Sequence, residues 1–296
     1  MRLVHLTDPH MSSLAEVGIS SLKGKRWSGY LSWKKNRRRR YRPPVLERLV
    51  AAVHDERPDK VLLTGDLIQI GLDSEIAQAA DWLRSLGATG QVMLVPGNHD
   101  IYAEGSANAI EHAWHGYLFP DDVQDGELKP GTFPTLRKHG TLSFIGLSSA
   151  CVTPVFMATG KLGSEQLAKL DALLKRETEA GQLVCLLIHH PPLPGMTNWR
   201  KGLKDATALK MVLDKHPPAL IFHGHLHHNR ELQWGNSHIF CTSAASSCGD
   251  ASYRIIDIDE SGDHWSLTMT LKSISIESDT EPGFVVVDRQ CWELPR

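Results

Sequence analysis

Asp8-Pro9-His10, Gly65-Asp66, Gly97-Asn98-His99-Asp100, His189-His190-Pro191 and Gly224-His225-Leu226-His227 each set a metal-binding side chain directly after an apolar run. Carboxylate, imidazole and amide oxygen are ligands of hard or borderline divalent cations, at ~2.0–2.2 Å. The candidates are Asp8, His10, Asp66, Asn98, His189, His225 and His227. That is too many for one small ion, and suits two ions sharing a carboxylate. Paired ions ~3.5–4 Å apart clamp both the attacking and the leaving oxygens of an in-line displacement. Two divalent cations, two aspartates and a bridging hydroxide sum to about +1, which attracts phosphate.

The apolar runs that must position these groups read as strands over 3–7, 61–64, 92–95, 183–188 and 220–222. In an open α/β sheet, ligands gather beyond the carboxyl ends of strands. Helical spacing fills the gaps. Residues 45–56 follow Pro44, which suits a helix start, and 74–86 stop at Gly87. Ser164 can cap a helix with Leu167, Leu170, Leu173 and Leu174 on its inner face, and 205–214 form another. Residues 103–140 read as an irregular excursion over the site, and 141–147 as strand. The chain closes with strands at 238–242, 253–258 and 264–271. Strands alternating with helices predict one α/β domain over 1–272, with a basic, aromatic insert at 22–42. Residues 273–296 are expected as a C-terminal tail packed on that domain.

The composition, 41% hydrophobic and 22% charged over 296 residues, is that of an ordinary globular protein. No apolar run approaches the ~20 residues of a transmembrane helix. The opening apolar stretch is too short for a signal peptide and Asp8 interrupts it, so a cytoplasmic location is expected. Five cysteines with no Cys-x-x-Cys pair predict free thiols rather than metal ligands. The net charge of −2 hides an asymmetry: ten of the 32 basic residues and no acid lie between Lys23 and Arg42. The remainder sets 22 basic against 34 acidic residues, about −12.

Taken singly, each motif has a plainer reading: Asp8-Pro9 is a common turn and Gly65-Asp66 a strand-end cap. Together, D-x-H, G-D, G-N-H-D, H-x-P and G-H-x-H resemble the calcineurin-like metallophosphoesterase superfamily, from Leu3 to about Ser247. The resemblance implies a four-layer α/β/β/α sandwich with mixed sheets. It also implies one metal on Asp8, His10, Asp66 and His227, and a second on Asp66, Asn98, His189 and His225. The H-x-P pattern selects His189 over His190. His99 would protonate the leaving oxygen or steady the phosphate, and the nucleophile would be a metal-activated hydroxide. Manganese, iron, zinc and cobalt all suit these ligands. The protein Ser/Thr phosphatases of the superfamily carry G-D-x-V-D-R-G. This chain reads Gly65-Asp66-Leu67-Ile68-Gln69-Ile70-Gly71, which argues against that activity. Cyclic-nucleotide phosphodiesterases of the family often have aspartate where Gln69 stands, leaving open whether His99 leans on Asp100 or on a backbone carbonyl.

The insert sits directly after the first metal motif. Trp27, Tyr30 and Leu31 have the spacing of a short apolar stripe edged by cations, suited to an anionic membrane surface. Trp27, Arg37, Arg38, Arg39 and Arg40 are therefore candidate substrate or membrane contacts. The plainer reading is a solvated surface helix. Nucleic acid is disfavoured because the rest of the chain repels polyanions. The insert resembles that of the metallophosphoesterases that split the pyrophosphate of UDP-2,3-diacylglucosamine at the inner membrane face. The expected function is a dinuclear metal-dependent phosphoesterase, acting on such a pyrophosphate or on a cyclic-nucleotide or glycerophosphodiester bond. A non-catalytic scaffold would have lost ligands, and a nucleic-acid-processing partner would bind through 23–42.

Overall fold

β1 (Arg2–Leu6) turns Leu3 and His5 to one side and Val4 and Leu6 to the other, and all four are buried. A strand buried on both faces must lie between two apolar layers. The computed structural model, which describes residues 1–11, 13–119, 132–275 and 283–295, supplies both layers. β1 pairs in parallel with β2 (Lys60–Leu63), and β2 with β3 (Val92–Leu94). A second sheet begins with β4 (Thr135–His139), antiparallel to β5 (Leu142–Gly146). β6 (Leu183–Leu187) and β7 (Leu220–His223) follow in parallel. β8 (Arg230–Trp234) and β9 (Ser237–Cys241) complete it in the order β4-β5-β6-β7-β9-β8. The chain then returns to the first sheet through β10 (Ser252–Ser261), β11 (His264–Ser275) and β12 (Gly283–Pro295), giving β12-β11-β10-β1-β2-β3.

Leu3, Leu62, Phe144, Leu187, Phe222 and Met269 belong to the core between the sheets. Outside the first sheet, Val4, Leu6 and Leu63 meet the helices that hold Leu49, Leu83 and Trp114. Outside the second, Ile145, Val184 and Ile221 meet the helices that hold Leu170 and Leu209. The architecture is a four-layer α/β/β/α sandwich with two mixed sheets. Its parallel strands place their carboxyl ends, and so the five motifs, on one edge of both sheets.

Two stretches carry more regular structure than their composition suggests. The 103–140 excursion holds a helix at Ser106–Leu118 and β4, and its middle lies outside the described residues. The expected tail from 273 onward extends β11 and adds β12 as an edge strand, paired along its length with β11.

The insert is helical: α1 (Lys25–Ser32), a π-helical turn (Trp33–Arg37) and α2 (Arg38–Arg40). Its expected apolar stripe is split. Tyr30 packs inward with Leu14, Leu22, Trp33, Ile70 and Tyr102, whereas Trp27 and Leu31 face solvent. Gly29 permits the approach, since a Cβ there would lie 2.5 Å from the Tyr102 hydroxyl and 2.6 Å from Ile70. Arg26 donates to the Gly71 carbonyl at 2.6 Å, and Arg42 N–H to the Ser246 carbonyl at 2.9 Å, so both ends are tied to the body.

Trp33 is the most buried aromatic of the insert, at 4% exposure. Trp33→Ala should remove about 3–5 kcal/mol from this local cluster. Trypsin should then cut at residues 34–40 well before the rest of the chain opens. Equal cleavage rates in the variant and the parent would show that Trp33 does not hold the insert down.

Candidate metal centre

Among the described residues seven non-glycine positions have positive φ, and five of them are motif residues: Asp8 (51°), His10 (40°), Asp66 (58°), His225 (71°) and His227 (56°). Left-handed backbone is unfavourable for side chains of this size and concentrates at functional sites. Here each strand ends in a sharp turn that throws its side chain into the same space. Glycines let the turns meet. A Cβ on Gly224 would fall on the Thr7 hydroxyl and 2.7 Å from Asp8 Oδ2.

The structure brings all seven candidate ligands together. Asp8, His10, Asp66 and His227 form one group and Asp66, His189 and His225 another, with the donor atoms of each within 4.8 Å. Asp66 Oδ2 serves both, 3.8 Å from His10 Nε2 and 3.5 Å from His189 Nε2. Asn98 Oδ1 joins the second group, 3.2 Å from His189 Nε2. His227 Nε2 lies 2.9 Å from Asp8 Oδ1 and 3.3 Å from His10 Nε2, and His225 Nδ1 lies 3.3 Å from His189 Nε2. Donors held ~2.1 Å from one ion stand ~3–4 Å apart, so these spacings fit a cation at each group. The chemistry of the set agrees. Asp8 Oδ1 is buried and, among the described residues, faces only the His227 and His10 rings, while its Oδ2 takes the Thr7 hydroxyl at 2.8 Å and the His225 N–H at 2.9 Å. One lone-pair oxygen is thus left aimed into the group.

The electrostatics carry the same mark. Burial would raise the Asp66 carboxyl, but His189, His99 and His10 hold it well below the usual carboxylate range. Burial would lower His189, but Asp66 carries it up to about 9. One proton is thereby held between them, where a cation would displace it. Burial keeps His10 and His225 neutral, with lone pairs available. The ring nitrogens facing away are pinned by backbone carbonyls: His189 Nδ1 donates to Thr64 at 2.7 Å and His10 Nδ1 to Ile68 at 3.2 Å. Such outer contacts fix the tautomer and aim of a metal ligand.

Asp100, beside His99, does not orient it. Its carboxylate accepts backbone N–H groups of Asp66, Leu67 and Gly97 at 2.8 Å each, and of Ile68 at 3.3 Å. Burial and the neighbouring Asp66 push it up to about 7, against the pull of the N–H donors from Gly97 and Asp66. It clips the β3 turn onto the β2 turn and so sets the position of Asp66. His99 Nδ1 instead meets the backbone carbonyl of Gln69, whose side-chain amide donates to the His10 carbonyl at 2.8 Å. His190 turns away to the Ser149 hydroxyl at 2.8 Å.

Two insert residues enter the centre. The Tyr41 hydroxyl lies 2.7 Å from His227 Nδ1, and burial pushes its phenol up to about 12, so it stays neutral. Arg37 Nη1 stands 3.1 Å from His99 Nδ1 and 3.4 Å from Gln69 Oε1. The other candidate contacts lie outside. Arg38 sits 6.0 Å over the Trp33 ring, Arg40 pairs with Asp250 at 3.6 Å, and Arg39 and Trp27 are exposed. Sequence spacing held no signal for Tyr41, which is 186 residues from His227.

The calcineurin-like phosphoesterase family model matches residues 1–229. The chain belongs to this family. It is 25% identical over 246 residues to the 3',5'-cyclic adenosine monophosphate phosphodiesterase CpdA of Escherichia coli strain K12, covering 82% of this chain and 75% of that protein. A probable cyclic nucleotide phosphodiesterase of Synechococcus sp. strain WH7803 is 24% identical over 240 residues, covering 76% and 74%. Among solved structures, a dimetal phosphatase from Danio rerio superposes with a TM-score of 0.64 at 15% identity, over 97% of this chain and 99% of that one. A purple acid phosphatase from yellow lupin gives 0.56 at 13% identity, over 98% and 53%. Family and donor set together make the protein a metal-dependent phosphoric ester hydrolase with a dinuclear centre.

If Asp100 sets Asp66 in place, Asp100→Asn should keep the fold and weaken metal retention about 10–100-fold. Metal content after graded chelator treatment reads this. Retention equal to the parent protein would remove the clip from the account.

Proposed function

We propose that the centre hydrolyses a phosphodiester or pyrophosphate bond of a small anionic substrate. The pyrophosphate of a lipid-linked nucleotide such as UDP-2,3-diacylglucosamine is the reading the site supports best. The observation that carries it is the Arg37 guanidinium. Among the described residues it has no carboxylate partner, and its nearest neighbours are a neutral imidazole and an amide. Burial, reinforced by Arg37 itself, pushes His99 down to about 3. His99 Nδ1 cannot serve both neighbours. The Gln69 carbonyl needs a hydrogen on that nitrogen, and the Arg37 N–H needs its lone pair. A guanidinium so placed is completed by an oxyanion, which it can grip with paired donors. With one phosphoryl group at the metals, a second phosphate of the same substrate supplies that anion.

Two bound cations would supply Lewis-acid charge to the phosphoryl oxygens and a water of lowered pKa for in-line attack. Asp66 belongs to both donor groups, and Asp8 would add a ligand to one and Asn98 to the other. Tyr41 steadies His227 through Nδ1. When substrate draws Arg37 off His99, the imidazole can keep its Nδ1 proton on the Gln69 carbonyl and take a second proton from solvent on Nε2. From there it steadies a phosphoryl oxygen or protonates the leaving oxygen. The sequence similarity to cyclic-nucleotide phosphodiesterases supports a second reading, in which a cyclic monophosphate is the substrate.

A panel of UDP-2,3-diacylglucosamine, a glycerophosphodiester and cyclic AMP, run with parent protein and Arg37→Ala, separates these. The pyrophosphate should be the preferred substrate. Losing Arg37 should lower its kcat/KM about 100-fold, with metal content unchanged and the cyclic nucleotide affected less than about threefold. A preference for cyclic AMP that survives Arg37→Ala would establish the second reading instead.

A further inference from the structure

Around the mouth of the metal centre, the fold leaves a group of large apolar side chains exposed. Three segments form this rim. Between β5 and the helix Ser164–Glu179, a turn closes through the Met157 N–H on the Pro154 carbonyl at 3.1 Å, with Val152, Val155 and Phe156 exposed. Between β6 and the helix Ala206–Lys215, Trp199 is exposed. On α1, Trp27 and Leu31 lie one turn apart and both face solvent. The segments touch. Ala158 N–H donates to the Arg200 carbonyl at 2.9 Å, and Lys25 Nζ to the Thr153 hydroxyl at 2.7 Å. The base of the first segment reaches the centre, since Ser149 holds His190, whose ring lies 4.6 Å from that of His225.

Phe156 is the most exposed of these side chains. Its φ of 65° lies in the left-handed region, where glycine or asparagine is usual and an aromatic residue is strained. Yet its side chain is 87% exposed, so no packing within the fold offsets that strain. Trp199, at 73%, is also largely uncovered. Charge points the same way. Residues 23–42, 150–157 and 194–204 contain no acid, while Lys34, Lys35 and Arg38 on one side and Arg200, Lys201 and Lys204 on the other are exposed. The rest of the chain is acidic.

We propose that this rim is a docking face for an anionic lipid bilayer. Phe156 and Trp199 enter the headgroup–acyl boundary, and the flanking cations meet lipid phosphates. Aromatic side chains on loop tips suit the interfacial region of a bilayer. The exposed aliphatic Val152, Val155 and Leu31 partition into lipid but offer a nucleic acid no stacking surface. Attachment is peripheral: among the described residues, no helix is long and apolar enough to cross a membrane. Docked this way, the mouth of the centre faces the lipid surface and takes substrate from it.

Cosedimentation of the full chain with vesicles of phosphatidylcholine, with and without phosphatidylglycerol, tests the proposal. The parent protein should pellet with the anionic vesicles and not with pure phosphatidylcholine. The double variant Phe156→Ser/Trp199→Ser should bind at least about 10-fold more weakly, with hydrolysis of a soluble aryl phosphodiester unchanged. No pelleting with anionic vesicles, or equal binding by the double variant, would overturn the docking face. So would binding of a labelled oligonucleotide in place of vesicles, which would assign the face to nucleic acid. Loss of hydrolysis by the parent protein, with vesicle binding intact, would count against the enzymatic reading alone.

Discussion

The two oxygens of Asp66 do different work, and the centre depends on that division. Oδ1 accepts the His99 N–H at 2.7 Å, which fixes the rotation of the carboxylate. Oδ2 is then directed between His10 and His189, one from each donor group. Rotation of the carboxylate would separate the groups. The surroundings hold it still: a left-handed backbone at Asp66, four N–H groups gathered by Asp100, and Gly97 close enough that any side chain there would collide with Asp66. A buried carboxylate facing several imidazoles is unstable unless positive charge sits among them. The seven donors would hold cations that supply this charge.

This requirement explains the two-sheet plan. Asp8 and Asp66 come from the first sheet and His189, His225 and His227 from the second, so only the packing of the sheets can close the centre. Leu3, Leu62 and Phe222 pack between the sheets beneath the motif turns. Apolar burial of this kind is non-directional and strong. It can hold in place strained turns that hydrogen bonds alone would not.

The insert divides its residues among three tasks. Trp33 and Tyr30 tie it down, Arg37 and Tyr41 reach inward, and most of the remaining cations stay in solvent. A run of four arginines therefore contains one that points at the chemistry and three that do not. Composition alone could not tell them apart, because helix phase across the π-helical turn decides which one turns inward.

Motif spacing made the strand ends, the helices between them and the ligand types readable, because each group follows directly from the apolar run that carries it. Other features rest on contacts that leave no local pattern. Asp100 works through four backbone N–H groups, Gln69 holds His99 through its main chain, and Tyr41 meets His227 only after the sheets have packed. β12 was obscured by its own sequence: Val285, Val286 and Val287 form an exposed apolar run on an edge strand, without the alternation of a half-buried one. Anomalous diffraction from crystals of the metal-loaded protein tests the central claim most directly. Two peaks ~3.5–4 Å apart with Asp66 Oδ2 between them are predicted. A single peak, or two peaks that do not share Asp66, would contradict it.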